Sequence, residues 1–438
     1  MGFPARRTAA LFTVLAAGLL ASARPAPAAL PPPASTPKWA PSIEAGLAEA
    51  KSKGIPLLVA LNMDNERGNE HMLGKVYTDP AFLAAAGKCV CTIASLGSHD
   101  SVKDASGRAV CARFGSLTCA EHKAVEKVIR EQWLKRGPKD DVISPQHFFL
   151  APDGRRLFQR TWQVEAKELA ALLDRARELC APEALSVRDT AEDRLKRVSD
   201  PLAPVREEAI AALAGLNDPA VDGKLGDLAK AAADEGVAVS VLDGFALAMN
   251  PARVAAAAGL LGAKSPEVRM HAAVALEASK DPAALKALTG ALGREKDAGV
   301  KGVLYRSIAG CAPEDPAARS SVLGGLKERA PGVLPQAIVA LAPWAKDPQV
   351  IAPLKALAFS KEDWRVRAAA CWTLGLSGQK DLAPKLREIK EEGKESRLVP
   401  VATLAAQRLN DEADLDAYRR AVKQFAWSPI RHPGEPEE

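Results

Sequence analysis

The chain has 438 residues, of which 47% are apolar and 26% are charged, a composition typical of a soluble globular protein. This length is too great for one hydrophobic core, so two or three domains are expected. The formal net charge is only +5, and basic and acidic residues nearly balance after residue 37. Because a polyanion binder needs a basic surface, the composition argues against nucleic acid as a partner.

The first 28 residues have the pattern of a secretory signal peptide. Arg6 and Arg7 precede an apolar run over residues 8–20, and small residues suited to cleavage follow at 21–23 and 26–28. The apolar run is shorter than the roughly 20 residues needed to span a bilayer, which disfavours an uncleaved anchor. We therefore expect an exported protein, periplasmic or extracellular and not membrane-spanning in its mature form. In such a compartment disulfides can persist.

A proline-rich stretch at residues 29–37 is expected to be a stiff linker, and residues 38–182 are predicted to form an α/β domain. Ser42 can cap a helix over 43–53, which Gly54 ends. The other predicted elements are strands at 56–61, 89–95, 148–150 and 156–161 and a closing helix at 166–179. Strands that alternate with helices before a final hairpin indicate an α/β layer arrangement.

Several short motifs in this region resemble, in order and spacing, those of the thioredoxin-like fold. They are Trp39, the strand entry at 53–59, Asp79-Pro80-x-Phe82, Ser144-Pro145 before an apolar strand, and the Pro152-Asp153-Gly154 turn. The resemblance implies a thioredoxin-like domain over 38–182. It also identifies Pro145 as the candidate for the cis-proline of that family.

The family's redox motif, Cys-x-x-Cys, begins the helix after the first long strand, commonly with a methionine six residues further on. Counting back from Met72 places Glu66 and Asn69 at the two cysteine positions. A thiol–disulfide relay needs a thiolate nucleophile, and neither a carboxylate nor an amide can replace it. The resemblance therefore implies a domain that is redox-inactive at this position, and we expect no standard oxidoreductase activity there.

An insert at residues 97–143 makes the domain larger than a minimal thioredoxin and carries its most unusual side chains. Thr118 and Glu121 have the spacing of a capping box, which predicts that Cys119 occupies the first position of a helix. The helix dipole favours a thiolate at that position. His122 lies one turn further along the same face, so Cys119 and His122 can approach one ligand.

Three interpretations of the side-chain set Cys89, Cys91, Cys111, Cys119 and His122 remain open. In the first, structural disulfides join the insert to the sheet, as is common in exported proteins, and no cofactor is needed. In the second, Cys119, His122 and one or two other cysteines hold zinc or copper. In the third, Cys119 is the nucleophile of a displaced redox pair.

From residue 199 to 424 one helical pattern is written seven times. The apolar anchors are Val205, Val237, Val268, Val300, Val333, Val366 and Leu398, at spacings of 31 to 33 residues. Apolar residues four and eight positions after each anchor predict a first amphipathic helix in every unit. A second helix is predicted wherever an Asp or Asn cap precedes proline, at Asp218, Asn250, Asp281, Asp315 and Asp347.

These units resemble HEAT repeats, particularly the short variety found in bacterial and phycobilisome-lyase-type proteins. The resemblance rests on Val205-Arg206, Val268-Arg269 and Val366-Arg367, each of which leads an alanine-rich helix. It implies a curved all-α solenoid in which each unit contacts only its neighbours. Trp344, Trp364 and Trp372 are either packing residues between units or an exposed aromatic patch for a partner.

The sequence thus predicts a thioredoxin-like α/β domain, a connecting helix over 183–198, a HEAT-like superhelical solenoid and a disordered tail at 425–438. The leading functional hypothesis is a non-enzymatic scaffold that binds a protein or peptide. The alternative is a thiol-redox or metal-binding protein that uses the cysteine and histidine cluster.

Overall fold

The computed structural model of the protein describes residues 36–138, 140–181, 190–330, 332–390, 397–414 and 418–419. The predicted signal peptide and the predicted disordered tail lie outside the described residues, as does the first part of the predicted connecting helix. Among the described residues, no helix combines the length and apolar character needed to cross a membrane.

The N-terminal domain is built on a four-stranded sheet with the strand order β2-β1-β5-β6. The strands are β1 (Leu57–Leu61), β2 (Val90–Ala94), β5 (Gln146–Leu150) and β6 (Arg156–Thr161). Strand β1 is parallel to β2 and antiparallel to β5, which is in turn antiparallel to β6. Every residue of β1, β2 and β5 is buried, which explains their almost continuous apolar sequences.

Helices cover both faces of this sheet. They are α1 (Ile43–Lys53), α2 (Arg67–His71) with a π-helical turn at Met72–Val76, α3 (Pro80–Ala86), α4 (Cys119–Val128) with a π-helical turn at Ile129–Trp133, and α5 (Ala166–Leu179). Leu58 and Ala60 of β1 face a core shared with α3 and α5. Leu57, Val59 and Leu61 face the opposite core, with α1 and α4. The domain therefore has the predicted layered α/β arrangement.

The insert forms a small hairpin followed by a helix. Strands β3 (Ser101–Lys103) and β4 (Ala109–Cys111) pair in antiparallel fashion beside the main sheet. Thr118 caps α4, because its hydroxyl accepts a hydrogen bond from the Glu121 N–H and the Glu121 carboxylate accepts one from the Thr118 N–H. The predicted capping box is therefore confirmed, and Cys119 is the first residue of α4.

The C-terminal region is an array of helical units, as the repeat predicted. The first helices are Ala203–Ala214, Glu235–Ala246, Pro266–Glu277, Ala298–Cys311, Val333–Ala340, Trp364–Leu374 and Leu398–Leu409. The second helices are Pro219–Ala231, Pro251–Leu260, Pro282–Leu292, Pro316–Gly324, Pro348–Ala358 and Ala383–Arg387, and 3-10 turns lie at Gly325–Lys327, Ala342–Trp344 and Lys380–Leu382. All seven anchors are buried, and all five predicted caps accept a backbone hydrogen bond.

The two layers of the array pack differently. First helices of successive units contact one another along the whole array, whereas contacts between successive second helices thin out after the first two units. The first helices therefore form the continuous layer of the array.

The basic residue that follows an anchor links neighbouring units. Arg206 donates to the carbonyl of Asp200, and Arg269 donates to the carbonyl of Ala263. Arg206 and Arg269 also pair with a carboxylate that precedes the next unit, that of Asp234 at 3.2 Å and that of Glu295 at 2.7 Å. Lys301 pairs in the same way with Glu328 at 2.9 Å. This double role gives the Val-Arg pairs of the sequence a structural reason.

The array begins directly on the N-terminal domain. Val205, the first anchor, belongs to the core between the sheet and α5. Arg156 of β6 lies 3.2 Å from the Glu208 carboxylate, and Arg175 of α5 lies 2.7 Å from that of Asp200. The connecting helix Ala191–Arg197 packs against the core of the array. Apolar and charged contacts thus continue from one region into the other.

Candidate functional site

Glu66 and Asn69, which the resemblance assigns to the two cysteine positions of a redox motif, lie beside Pro145. Asn69 is buried, and its side-chain N–H groups donate to the Glu66 carboxylate at 2.6 Å and to the Ser144 hydroxyl at 2.8 Å. The Ser144 hydroxyl also donates to Glu66 at 2.6 Å, and the Ser144–Pro145 bond is cis. These three polar side chains therefore form a closed hydrogen-bonded triangle next to the cis-proline.

An exposed tryptophan stands next to this triangle. Trp162 follows β6 with 59% of its surface exposed and a φ of 74°, and its backbone N–H donates to the Pro145 carbonyl at 2.8 Å. The sequence analysis missed Trp162. The only sequence signal for Trp162 is that a large aromatic residue follows a strand at a position where a polar turn residue is usual.

A second group of polar side chains gathers where the insert meets the sheet. His99, Cys111, Cys119 and His122 bring one ligand atom each to within 4.8 Å of one another. The His99 Nδ1 atom lies 3.2 Å from the Cys111 sulfur and 3.9 Å from the Cys119 sulfur. Cys111 and His122 are buried, whereas His99 and Cys119 are half-buried. The structure thus unites three predicted residues with His99, which the sequence analysis missed.

Hydrogen bonds fix the orientation of both imidazole rings. The His99 Nε2 atom lies 3.0 Å from the Asp64 carboxylate, so Nδ1 faces the sulfur atoms. His122 Nδ1 lies 2.9 Å from the Ser95 carbonyl oxygen, which can only accept, so Nδ1 carries the proton and Nε2 carries the lone pair. Phe114 packs edge-on against both rings, with centroid distances of 5.6 and 4.9 Å.

Asp64 is itself held in place. The Ser95 hydroxyl donates to it at 2.6 Å, and the Arg113 guanidinium lies 2.9 Å away. Burial raises the pKa of the Asp64 carboxyl, but these hydrogen bonds and the Arg113 charge outweigh burial and leave the pKa below its ordinary value. Asp64 is therefore a carboxylate that orients His99.

Burial controls the protonation of the cluster in the absence of an ion. It raises the pKa of the Cys111 thiol to about 11 and lowers the pKa of His122. Both shifts favour the uncharged side chains, a neutral thiol and a neutral imidazole.

Cys89 and Cys91, which the sequence analysis considered as further ligands, lie outside this group. Cys91 is in the core beside Trp39 and Tyr77, and Cys89 lies near Cys180. Cys89 directly precedes β2 and Cys91 is its second residue, whereas the cluster forms beyond the end of β2, so the length of the strand separates them. All seven cysteines have free thiols. Burial raises the pKa of Cys89 to about 12.

The three tryptophans of the array have different environments. Trp344 and Trp364 are half-buried against the core, and the Arg365 guanidinium lies 4.6 Å from the centre of the Trp364 ring. Trp372 is buried by the chain itself, because Tyr418 stacks on it at 5.6 Å and accepts a hydrogen bond from its indole N–H at 2.9 Å. Trp372 therefore packs internally, and a partner cannot reach it in this arrangement.

The family comparison agrees with the architecture of the array. Residues 223–309 and 320–422 match the family model of HEAT repeats, a match that does not include the N-terminal domain. No curated protein was found to match the chain. The C-terminal region is therefore a helical repeat region that contains HEAT repeats.

Proposed function

We propose that the protein is a binding scaffold whose HEAT-repeat array presents the surface for a partner protein. The observation that carries this proposal is the HEAT-repeat match over most of an array of stacked helices. Repeat arrays of this kind expose extended surfaces that suit protein partners. The alternative function, based on the cysteine and histidine cluster, concerns a far smaller and largely buried site.

The first units of the array expose charged and large apolar side chains that suit a partner. Glu207 and Asp243 are exposed on the first helices of the first two units, and Nδ1 of the half-buried His271 on the next first helix lies 2.6 Å from the Asp243 carboxylate. Leu216 and Leu247 are 51% and 82% exposed in adjacent loops of the first two units. Large exposed apolar side chains in polar surroundings are typical of interaction sites. In the sixth unit, by contrast, Tyr418 covers Trp372.

The test uses the full chain, tagged and cross-linked in its source cells. The captured protein is then purified, and its dissociation constant for the untagged chain is measured by calorimetry. The double variant Leu216→Asp/Leu247→Asp is expected to bind at least about tenfold more weakly, as loss of a central apolar contact does. Val102→Ala, at a 37% exposed position of β3 in the N-terminal domain and outside the surface beside Pro145, is the control and should bind normally. The proposal fails if Trp162→Ala abolishes binding and the leucine variant does not.

For the N-terminal domain we propose a thioredoxin-like fold without a redox pair, which binds an extended segment of a partner beside Pro145. The strand order, the Ser144-Pro145 turn and the placement of Glu66 and Asn69 beside it support this interpretation. Trp162 would supply an apolar contact at that position.

The fold assignment can be tested by restoring the missing thiols. The double variant Glu66→Cys/Asn69→Cys should gain thiol-dependent reductase activity toward insulin disulfides, relative to wild type and to Glu66→Ser/Asn69→Ser. A helix start with two cysteines three residues apart is the arrangement that activates a thiolate. A folded cysteine variant with no gain over the serine control would contradict the assignment.

Export is a separate proposal, supported by Arg6, Arg7 and the apolar run after them. The intact mass of the protein from the source cells is expected to lack the first 23 or 28 residues. A full-length chain recovered from the cytoplasm would contradict export.

A further inference from the structure

We propose that His99, Cys111, Cys119 and His122 together bind one zinc ion, which fixes the insert to the main sheet. This site is independent of the scaffold function and uses residues that the array does not contain. Its ligands come from three segments: the loop before β3, the end of β4 and the first turn of α4.

The separation of the four ligand atoms suits a tetrahedral ion. Zinc binds sulfur at about 2.3 Å and imidazole nitrogen at about 2.0–2.1 Å, so ligand atoms around one tetrahedral ion lie roughly 3.3–3.8 Å apart. The distances from His99 Nδ1 to the Cys111 and Cys119 sulfurs are 3.2 and 3.9 Å. All four atoms lie within 4.8 Å of one another. Small side-chain adjustments would complete the tetrahedron.

The lone pairs of both histidines point into the group. Asp64 holds His99 by Nε2 and the Ser95 carbonyl holds His122 by Nδ1, which leaves one nitrogen of each ring for the ion. The remaining nitrogen of His122 is buried and has no hydrogen-bond partner among the described residues. A buried nitrogen acceptor without a partner is unfavourable, and a metal ion would satisfy it.

The supporting contacts are those that metal-binding histidines commonly have. A ligand histidine usually donates its other N–H to a carboxylate or a backbone carbonyl. Here His99 has the carboxylate of Asp64 and His122 has the carbonyl of Ser95. Arg113 pairs with both Asp64 and Glu70, at 2.9 and 2.6 Å, and so links the group to the loop after β1.

Charge and burial favour zinc as a structural ion. Two thiolates and two neutral imidazoles balance the double charge of Zn²⁺, so the complex is neutral where it is buried. Binding would release the two thiol protons to solvent. Four protein ligands leave no open position for water, which is the arrangement of structural sites and not of catalytic ones.

The first test measures metal content of the full chain, purified under reducing conditions from a zinc-supplemented culture. One zinc per chain is expected by mass spectrometry, and the double variant Cys111→Ser/Cys119→Ser should retain only background zinc. Cys89→Ser is the matched control, because it removes a half-buried cysteine of the same domain outside the group, and it should keep the full zinc content. Asp64→Asn should bind zinc roughly 10–100-fold more weakly.

A second measurement detects the ligand set without any substitution. The metal-free wild-type chain is titrated with Co²⁺, and the visible d–d bands of a tetrahedral ion, with a near-ultraviolet thiolate-to-cobalt charge-transfer band, should appear and then disappear when Zn²⁺ is added. The proposal is overturned if the wild-type chain contains no zinc and gives no cobalt band. It is also overturned if the purified chain contains copper in place of zinc at the same occupancy, or if the freshly purified metal-free chain has a Cys111–Cys119 disulfide.

Discussion

The two regions of the molecule are stabilised in different ways. In the array the same kinds of feature recur about every 32 residues. They are a buried anchor, an Asp or Asn cap and a basic residue that bridges units. In the N-terminal domain each polar contact occurs once, as in the Glu66–Asn69–Ser144 triangle and the group around His99. A function that depends on the surface of the array can tolerate a substitution in one of its many units. A function that depends on a single side-chain cluster of the N-terminal domain cannot tolerate a substitution in that cluster.

The largest expected effect would test whether the array itself contains an irreplaceable contact. Asp222 and Arg253 form a completely buried ion pair at 2.9 Å between the second helices of the first two units, and Arg253 also donates to the carbonyls of Ala214 and Ala248. Asp222→Ala leaves this guanidinium without its countercharge. We expect a loss of about 3–5 kcal/mol in the free energy of unfolding.

Denaturant titration followed by circular dichroism measures this loss. Asp227→Ala, on the same helix, is the control, because the Asp227 side chain is 84% exposed and its carboxylate lies as far as 4.0 Å from the Lys230 ammonium. That substitution should change the free energy of unfolding by about 0.5 kcal/mol or less. Equal effects of the two substitutions would show that the array has no such special contact.

The next prediction concerns the stability of the N-terminal domain and its dependence on pH. His147 of β5 is buried and its Nε2 atom lies 2.8 Å from the Tyr77 hydroxyl. Burial, assisted by the charge of Arg160, lowers the pKa of His147 to about 3 from 6.5. The unfolded chain takes up a proton below pH 6.5 and the folded one does not, so stability falls as the pH decreases from 6.5 toward 3.

The expected slope is about 1.4 kcal/mol per pH unit over that range for this single group. His147→Gln removes the titrating group and should flatten this part of the profile relative to wild type. Thermal unfolding of both chains at several pH values measures the difference. The same slope in both would show that His147 is not the group responsible.

The smallest effect concerns one of the repeated caps. The Asp281 carboxylate accepts from the Ala283 N–H at 2.8 Å at the start of an exposed second helix. Asp281→Ala should cost about 0.5–2 kcal/mol, and Asp281→Asn, which can still cap, should cost much less. The change in denaturation midpoint measures both. A loss in the free energy of unfolding as large as that of Asp222→Ala would contradict the view that each cap makes a small and similar contribution to stability.

The sequence predicted the array well because its structure is local and periodic. The period located all seven first helices, and the Asp or Asn before proline located five second helices. The sixth second helix, Ala383–Arg387, has no such cap, and the contact of Tyr418 with Trp372 spans 46 residues. Neither leaves a local signal in the sequence.

The proposed metal-binding group was only partly predictable, for the same reason. Cys119 and His122 share a helical turn, so their spacing revealed them. His99 lies in a loop with no periodic pattern and joins the group only through the fold, as does Asp64. Cys89 and Cys91 were considered because they alternate on a strand. That pattern fixes their face of the sheet but not their position along it.

The most direct test of the scaffold proposal is hydrogen exchange of the full chain with and without the captured partner protein. We predict slower exchange in the loops that carry Leu216 and Leu247 and in the neighbouring first helices, whether or not the surface beside Pro145 and Trp162 is also protected. Protection confined to the N-terminal domain, with none in the array, would contradict the central claim.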